Sequence, residues 1–182
     1  TTAVFVWNLA MPITKDRLKQ AAYDSGFDLC GVTTPEPIPE AVARFGEWTR
    51  SGQHGEMNWI SASADRRTDP RQLMEAVRSV ITLGVNYFQS NSPKTPIGSG
   101  RVSRYARGRD YHKVIEKKTR LFVDRLKILV AEQSRQAAEE LAVKWWVDYG
   151  PMLERSYAAK AGLGYLGKNA MLINRRFGSW IF

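Results

Sequence analysis

The segment SRYARGRDYH at 103–112 packs three arginines, two tyrosines and an aspartate directly before a helical pattern. A glycine-containing basic loop that leads into a helix N-terminus offers N–H groups and a positive dipole end to an anion. Arginines add bidentate phosphate contacts, and tyrosine rings can stack on bases or on a flat macrocycle. The segment therefore predicts a site for an anionic or flat ligand. A solvated basic turn with an N-capping aspartate is the alternative.

Asp148 lies at the end of an apolar run in WWVDYGP. Trp145 and Trp146 precede it, and Gly150 begins the turn that follows. A carboxyl group against aromatic rings is desolvated, which favours its neutral form and suits it to donate a proton. The sequence therefore offers Asp148 as a general acid. The alternative is an aspartate that starts the turn by hydrogen-bonding its own backbone.

Three closely spaced glycines lie in AGLGYLGKN at 161–169. Gly162, Gly164 and Gly167 fit GxGxxG, but they follow a helical pattern, whereas a dinucleotide site follows a strand. A P-loop is excluded because Asn169, and not Ser or Thr, follows Lys168. We interpret the segment as a tight helix-to-strand turn with close backbone approach, a geometry that a flat cofactor also needs.

The composition is globular, with 43% apolar and 25% charged residues, and the net charge is +9. Residues 1–100 are neutral, so the whole excess lies in 101–182, which predicts an anionic partner there. One cysteine and two histidines cannot build a zinc site or an iron–sulfur cluster. The single Cys30 is consistent with a reducing, cytoplasmic compartment, and its place in a predicted strand indicates a core position. His54 is expected to anchor its loop. No apolar run is long enough to span a membrane.

Strands alternate with helices along the chain, which predicts a layered α/β or α+β domain. Thr14 and Asp110 are expected to cap helices, and Val42, Phe45 and Trp48 to point inward from the second helix. Residues 89–101 are predicted to form a polar loop. The chain ends in a strand-like segment without a following loop, which predicts that it is a fragment of a longer protein. The predicted helices are 14–25, 40–50, one from Asp69-Pro70, 111–140 and 153–164, and the predicted strands are 27–33, 79–88, 143–150 and two in 168–182.

Several segments together resemble the epoxyqueuosine reductase family. They are HGEMNWI, ADRRTDPRQLM, SVITLGVNYF, YARGRDYHKV, VDYGPMLERSYAAKAGLGYLGKN and LINRRFGSW, and the resemblance covers essentially 14–182. It implies a nitroreductase-like fold similar to reductive dehalogenases and cobalamin-processing proteins. Residues 1–13 are then an N-terminal extension, and a natural start at Met11 would make residues 1–10 an upstream addition. The family's C-terminal domain, with two [4Fe–4S] clusters, is expected beyond this chain.

The resemblance also implies a chemistry, namely the cobalamin-dependent reduction of epoxyqueuosine in tRNA to queuosine, with Asp148 as the proton donor. It implies a monomer with no membrane contact. Arg104, Arg107 and Lys113 are candidates for tRNA phosphate contacts, and a role in holding the cofactor is equally open for them. The predicted cobalamin contacts are Arg67, Ser103, Tyr105, Arg107, Tyr111, Asp148, Lys168, Asn169 and Leu172.

Other functions stay open from the sequence. A corrinoid carrier of the same fold needs no iron–sulfur domain. A cofactor-free RNA-binding module would use the basic 101–125 surface. A flavin nitroreductase is the fourth possibility.

Overall fold

A computed structural model describes residues 2–7, 13–90 and 97–182, the first of these ranges by its backbone. The expected start at Met11 and the centre of the loop predicted at 89–101 lie outside the described residues. Among the helices of these ranges, none is both long and apolar enough to cross a membrane.

The main sheet has four strands in the order β2-β3-β1-β4, and each neighbouring pair is antiparallel. Its strands are β1 (Thr2–Trp7), β2 (Leu29–Thr33), β3 (Val77–Gly84) and β4 (Val143–Val147). Antiparallel strands with helices packed against them make the domain α+β, which is one of the two classes that the sequence predicts.

The predicted N-terminal extension contributes to this sheet. Thr2–Trp7 lies between β3 and β4, and its backbone pairs with both. The segment TAVFVW is rich in β-branched and aromatic residues, which favour a strand.

Seven helices occur in the described residues, and the bounds differ from prediction where local signals compete. The helix predicted from Asp69-Pro70 is a single 3₁₀ turn, Pro70–Gln72, because Val77 already belongs to β3. The helix predicted over 111–140 breaks after Ala131, and Ser134 caps a new one. The helices are α1 (Lys15–Asp24), α2 (Pro39–Arg50), α3 (Asn58–Ser61), α4 (Ala64–Thr68), α5 (Tyr111–Ala131), α6 (Arg135–Glu139) and α7 (Glu154–Lys160).

Both predicted N-caps are confirmed. The Thr14 hydroxyl accepts a hydrogen bond from the Arg17 amide, and the Asp110 carboxylate accepts one from the His112 amide. The C-terminal segment forms only short pairings: β6 (Leu172–Ile173) pairs with β5 (Tyr165–Leu166), and single bridges join the segment elsewhere. The two strands predicted in 168–182 are therefore reduced to one short strand and isolated bridges.

The two faces of the main sheet are covered differently. One face packs against α1 and α5 in a continuous core that contains Phe122, Leu126, Ile81 and Leu83, all without solvent exposure. The other face carries a smaller cluster of Val77, Val80, Met152 and Tyr157. The candidate site lies on this second, less filled side and extends past the end of the sheet to Tyr111 and Phe182, which pack against the first core.

Candidate active site

A cavity of about 680 Å³ lies beside the smaller cluster. Flat aromatic rings from four separate parts of the chain line it, and the short β5–β6 sheet contributes apolar side chains. Its ionisable lining groups are two arginines, two carboxyl groups and three tyrosines. The aromatic lining residues are Phe45, Trp48, Tyr87, Tyr105, Tyr111 and Phe182, and the charged ones are Arg67, Asp148, Glu154 and Arg155.

Helix α2 turns its apolar face toward this cavity and not into a core. Phe45 and Trp48 line the cavity, and the inward packing predicted for Val42, Phe45 and Trp48 is only partial, because each side chain is half-buried. Phe45 and Trp48 stack with ring centroids 6.0 Å apart, and His54 lies behind Trp48 at 5.9 Å. An apolar helix face that is left partly uncovered in this way can receive a ligand.

Asp148 stands at the mouth of the cavity, directly after β4. Its φ is +60°, a left-handed conformation that aspartate adopts more readily than most residues other than glycine. The Tyr111 hydroxyl donates a hydrogen bond of 2.7 Å to Asp148 Oδ2. Gly150 allows the turn to close, since a Cβ at this position would lie 2.6 Å from Trp146 Cβ. The turn thus directs the Asp148 carboxyl group to Tyr111.

The expectation that two tryptophans desolvate Asp148 is wrong. Side chains alternate along a strand, so Trp145 packs against the α1/α5 core and Trp146 against the opposite cluster. Asp148 itself is exposed. Its aromatic neighbour is instead Tyr111, which comes from a different element.

Tyr111 is held between two other rings. It stacks on Phe182 at 4.2 Å and on His112 at 4.0 Å. Phe182 is held there because its backbone exchanges two hydrogen bonds with Val85 beyond the end of β3. Burial, together with the hydrogen bond to Asp148, raises the pKa of Tyr111, so its hydroxyl stays protonated as a donor.

Glu154 is the carboxyl group that the sequence analysis missed. It is the first residue of α7, and its Oε1 is buried without a hydrogen-bonding partner. Burial raises the pKa of Glu154 to about 8, and the nearby charge of Asp148 adds to the effect. In the sequence it looks like an ordinary acidic residue that complements a helix dipole.

Arg67 connects two parts of the cavity lining. Its Nε donates a hydrogen bond of 2.9 Å to Ser63 Oγ, and its guanidinium lies 5.0 Å from the Trp59 ring centroid. Its carbonyl accepts a hydrogen bond from the Leu153 amide, just before α7. Arg67 therefore joins α4 to the segment that carries Glu154.

Five of the nine predicted site residues line this cavity, and four do not. Ser103 and Arg107 are exposed and flank the 3₁₀ turn Arg104–Ala106; the Arg107 Nε donates to the Val102 carbonyl. Lys168 and Asn169 lie in the β5–β6 turn, outside the cavity lining. The lining residues are Arg67, Tyr105, Tyr111, Asp148 and Leu172.

The glycine segment is a tight turn, as its interpretation from sequence predicted. A Cβ at Gly164 would lie 2.3 Å from the Ile173 carbonyl oxygen, and one at Gly167 would lie 2.6 Å from the Ile173 side chain. These glycines let β5 and β6 approach closely, which places Leu172 at the cavity.

The basic segment, taken here as residues 101–120, is only partly available to a ligand. The Arg104 guanidinium lies 4.8 Å from the Phe88 ring centroid and 5.1 Å from that of Trp180, and it donates to the Gln89 carbonyl. Lys118 donates to the Gly26 carbonyl. The side chains on this segment that stay exposed are Arg101, Arg107, Arg109, Lys113, Lys117 and Arg120.

Comparisons with known proteins agree on one family. The family model described as "Epoxyqueuosine reductase QueG, DUF1730" matches residues 67–148. An epoxyqueuosine reductase of Leadbetterella byssophila is 35% identical over 167 residues, which are 91% of this chain and 51% of the relative. One of Escherichia coli is 36% identical over 171 residues, covering 91% of this chain and 42% of the relative.

Solved structures give the same result for the fold. A crystal structure of selenomethionine-labelled epoxyqueuosine reductase matches 92% of this chain and 43% of that one, with a TM-score of 0.75 at 25% identity. A structure of epoxyqueuosine reductase with an epoxyqueuosine-modified tRNA-Tyr stem loop matches with a TM-score of 0.67 at 23% identity, over 92% and 43% of the two chains. The chain spans about half the length of its sequence relatives, and it belongs to the epoxyqueuosine reductase family.

Proposed function

We propose that this chain is the cobalamin-binding, catalytic part of an enzyme that reduces epoxyqueuosine in tRNA to queuosine, with Asp148 as the proton donor. The observation that carries the proposal is the Asp148 carboxyl group at the mouth of the cavity, held there by Tyr111. The names of the relatives supply the reaction class.

The reaction sets what the side chains must do. An epoxide, two electrons and two protons become an alkene and water, so the C–O bonds that break need protons on the departing oxygen. A carboxylic acid at the cavity mouth supplies one of these protons, a role worth about 10²–10⁴-fold in rate. Tyr111 keeps the carboxyl group of Asp148 oriented toward the reacting oxygen.

The cavity lining fits the chemistry of a corrinoid. Flat aromatic rings and apolar side chains suit the faces of a macrocycle, and Arg67 and Tyr105 offer hydrogen bonds to amide groups at its edge. Cobalamin, when bound, supplies low-potential electrons for the reduction. Tyr111, Asp148 and Leu172 complete the proposed cofactor contacts. Ser103, Arg107, Lys168 and Asn169 lie outside this lining, and their contacts with the cofactor stay a prediction of the family resemblance.

Iron–sulfur clusters do not fit this chain. Its one cysteine, Cys30, is buried in the α1/α5 core, and burial raises the pKa of the thiol to about 12. Two [4Fe–4S] clusters therefore require a further domain, as the family resemblance implies. We propose that residues 14–182, together with the strand β1 that completes their sheet, form the cobalamin domain, with nitroreductase-like layering, in a cytoplasmic monomer.

The tRNA would approach over the basic segment that borders the cavity. Arg101, Arg109, Lys113 and Lys117 are exposed there and can contact phosphates. Arg104 is held between two aromatic rings instead, so it is a weaker candidate for direct phosphate contact.

Cobalamin binding and turnover test the proposal separately. The purified chain is titrated with cob(II)alamin, and a base-off absorption spectrum at stoichiometric cofactor is expected. Turnover of epoxyqueuosine-containing tRNA is measured in the longest natural protein that contains this chain. There, Asp148→Asn should retain cobalamin and lose about 10²–10⁴-fold in turnover. Asp124→Asn, an exposed aspartate on α5, is the matched control and should leave both unchanged.

Each outcome has one meaning. No spectral change with cobalamin would contradict the cofactor assignment, and tRNA binding that weakens steeply with salt would then favour an RNA-binding module. Cobalamin binding without turnover in the parent protein would favour a corrinoid carrier. Full turnover by Asp148→Asn would exclude Asp148 as the proton donor.

A further inference from the structure

Glu154 is a carboxyl group in the cavity that forms no ion pair among the described residues. Its Oε1 is buried and has no hydrogen-bonding partner. Two arginines are near, but both are engaged elsewhere: Arg67 with Ser63 and the Trp59 ring, and Arg155 with the Ala170 carbonyl. A buried carboxyl group without a partner is most stable when it is protonated.

The charged groups that face Glu154 do not reverse this preference. The charges of the N-terminal amine, Arg155 and Arg67 favour the carboxylate, whereas burial and the charge of Asp148 favour the acid. Burial is the largest influence, and the pKa of Glu154 is about 8. The surroundings of Glu154 thus favour its protonated form at neutral pH.

The two carboxyl groups of the cavity therefore differ in environment. Asp148 is exposed at the cavity mouth and accepts a hydrogen bond from Tyr111. Glu154 is half-buried, and the burial of its Oε1 without a partner suits the acid. Two carboxyl groups held in different surroundings are a recognised way to divide proton-transfer roles in one site.

We propose that Glu154 is the second proton source of the cavity, which protonates the Asp148 carboxylate through cavity water. This inference rests on the proposed function, because the reduction of an epoxide to an alkene consumes two protons. Asp148 gives one proton to the departing oxygen and becomes a carboxylate. Glu154 then passes its own proton to Asp148, which delivers it to the same oxygen as water leaves. The two electrons come from the reduced corrinoid, and solvent later reprotonates Glu154.

The first experiment needs no activity. Carboxyl groups of the 182-residue chain, labelled with ¹³C in glutamate, are titrated by NMR between pH 4 and 10. One glutamate resonance should titrate near pH 8 and vanish in Glu154→Gln. Glu75→Gln, at an exposed position outside the cavity, is the control and should leave that resonance in place. If every glutamate titrates in the ordinary range, the inference is overturned.

The second experiment follows turnover against pH in the longest natural protein that contains this chain. In the parent, the rate should fall as pH rises through about 8, as Glu154 loses its proton. Glu154→Gln, which mimics the neutral acid but holds no transferable proton, should bind cobalamin normally and turn over about 10²–10⁴-fold more slowly, without the fall near pH 8. Glu75→Gln should behave as the parent.

The results distinguish this inference from the proposed function. Parent-like turnover of Glu154→Gln at every pH overturns it, even if Asp148→Asn is inactive. A slowed Glu154→Gln that still loses activity near pH 8 also overturns it, because another group then controls the profile. Loss of cobalamin binding by Glu154→Gln would show a structural role and would overturn it as well. If the parent protein shows no turnover, the proposed function fails, and the NMR result decides the protonation of Glu154 alone.

Discussion

The two faces of the main sheet show how one small domain separates stability from chemistry. On the α1/α5 face, side chains such as Phe122 and Leu126 are fully buried and apolar. On the opposite face, rings such as Phe45 and Trp48 stay half-buried around a cavity that also holds two carboxyl groups. The larger buried core lies on the packed face, and the burial of its apolar side chains stabilises the fold. The other face can therefore keep an open, polar space.

The largest expected effect tests the packed face. Phe122→Ala removes a fully buried ring and should lower the free energy of unfolding by about 3–5 kcal/mol. Phe45→Ala, on the cavity face, should lower it by only about 1–2 kcal/mol, because that ring is half-exposed already. Urea denaturation followed by circular dichroism measures both. Equal losses would contradict the division between the two faces.

The next effect concerns Glu154 and pH. Below about pH 4.5 the folded and unfolded chains both hold the proton; between pH 4.5 and about 8 only the folded chain holds it. The free energy of unfolding of the parent should therefore fall as pH rises through this window. Glu154→Gln lacks this titration, so its stability relative to the parent should rise by roughly 2–4 kcal/mol across the window.

Chemical denaturation at pH 4.5, 6, 7 and 8.5 measures this difference. Glu75→Gln is again the control and should show a nearly constant offset from the parent. If the difference in free energy of unfolding between Glu154→Gln and the parent is also constant across this pH range, Glu154 is not desolvated in the folded chain.

The smallest effect concerns the hydrogen bond at the cavity mouth. Tyr111→Phe keeps the stack on Phe182 but removes the donor to Asp148, so it should cost about 0.5–1.5 kcal/mol of stability. Tyr149→Phe, at a largely exposed ring, should change stability by less than about 0.5 kcal/mol. Thermal unfolding of both variants measures the difference. Equal stability changes in the two variants would mean that the Tyr111–Asp148 hydrogen bond does not stabilise the folded chain.

Sequence reasoning succeeded where the signal is local. The caps Thr14 and Asp110, the glycine turn at 162–167 and the inward face of α2 all follow from short-range chemistry or helical period. The helix expected after Asp69 was wrong, because its apolar spacing is shared by the start of β3.

The site itself needed tertiary information. Asp148 was found, but the reason given for its chemistry was wrong, because adjacent residues of a strand face opposite sides. Glu154 was missed, because the burial of its Oε1 depends on segments distant in sequence. Its neighbour Arg67, 87 positions earlier, was found only through the family resemblance.

The burial of the single cysteine has a practical consequence for following motion in this chain. Because Cys30 is enclosed in the core, a thiol-directed spin label or fluorophore will react poorly with it. A cysteine introduced at the exposed position of Tyr149 would then carry the only label. Spectra from that one probe would report directly on whether the peptide after β4 moves when a ligand enters.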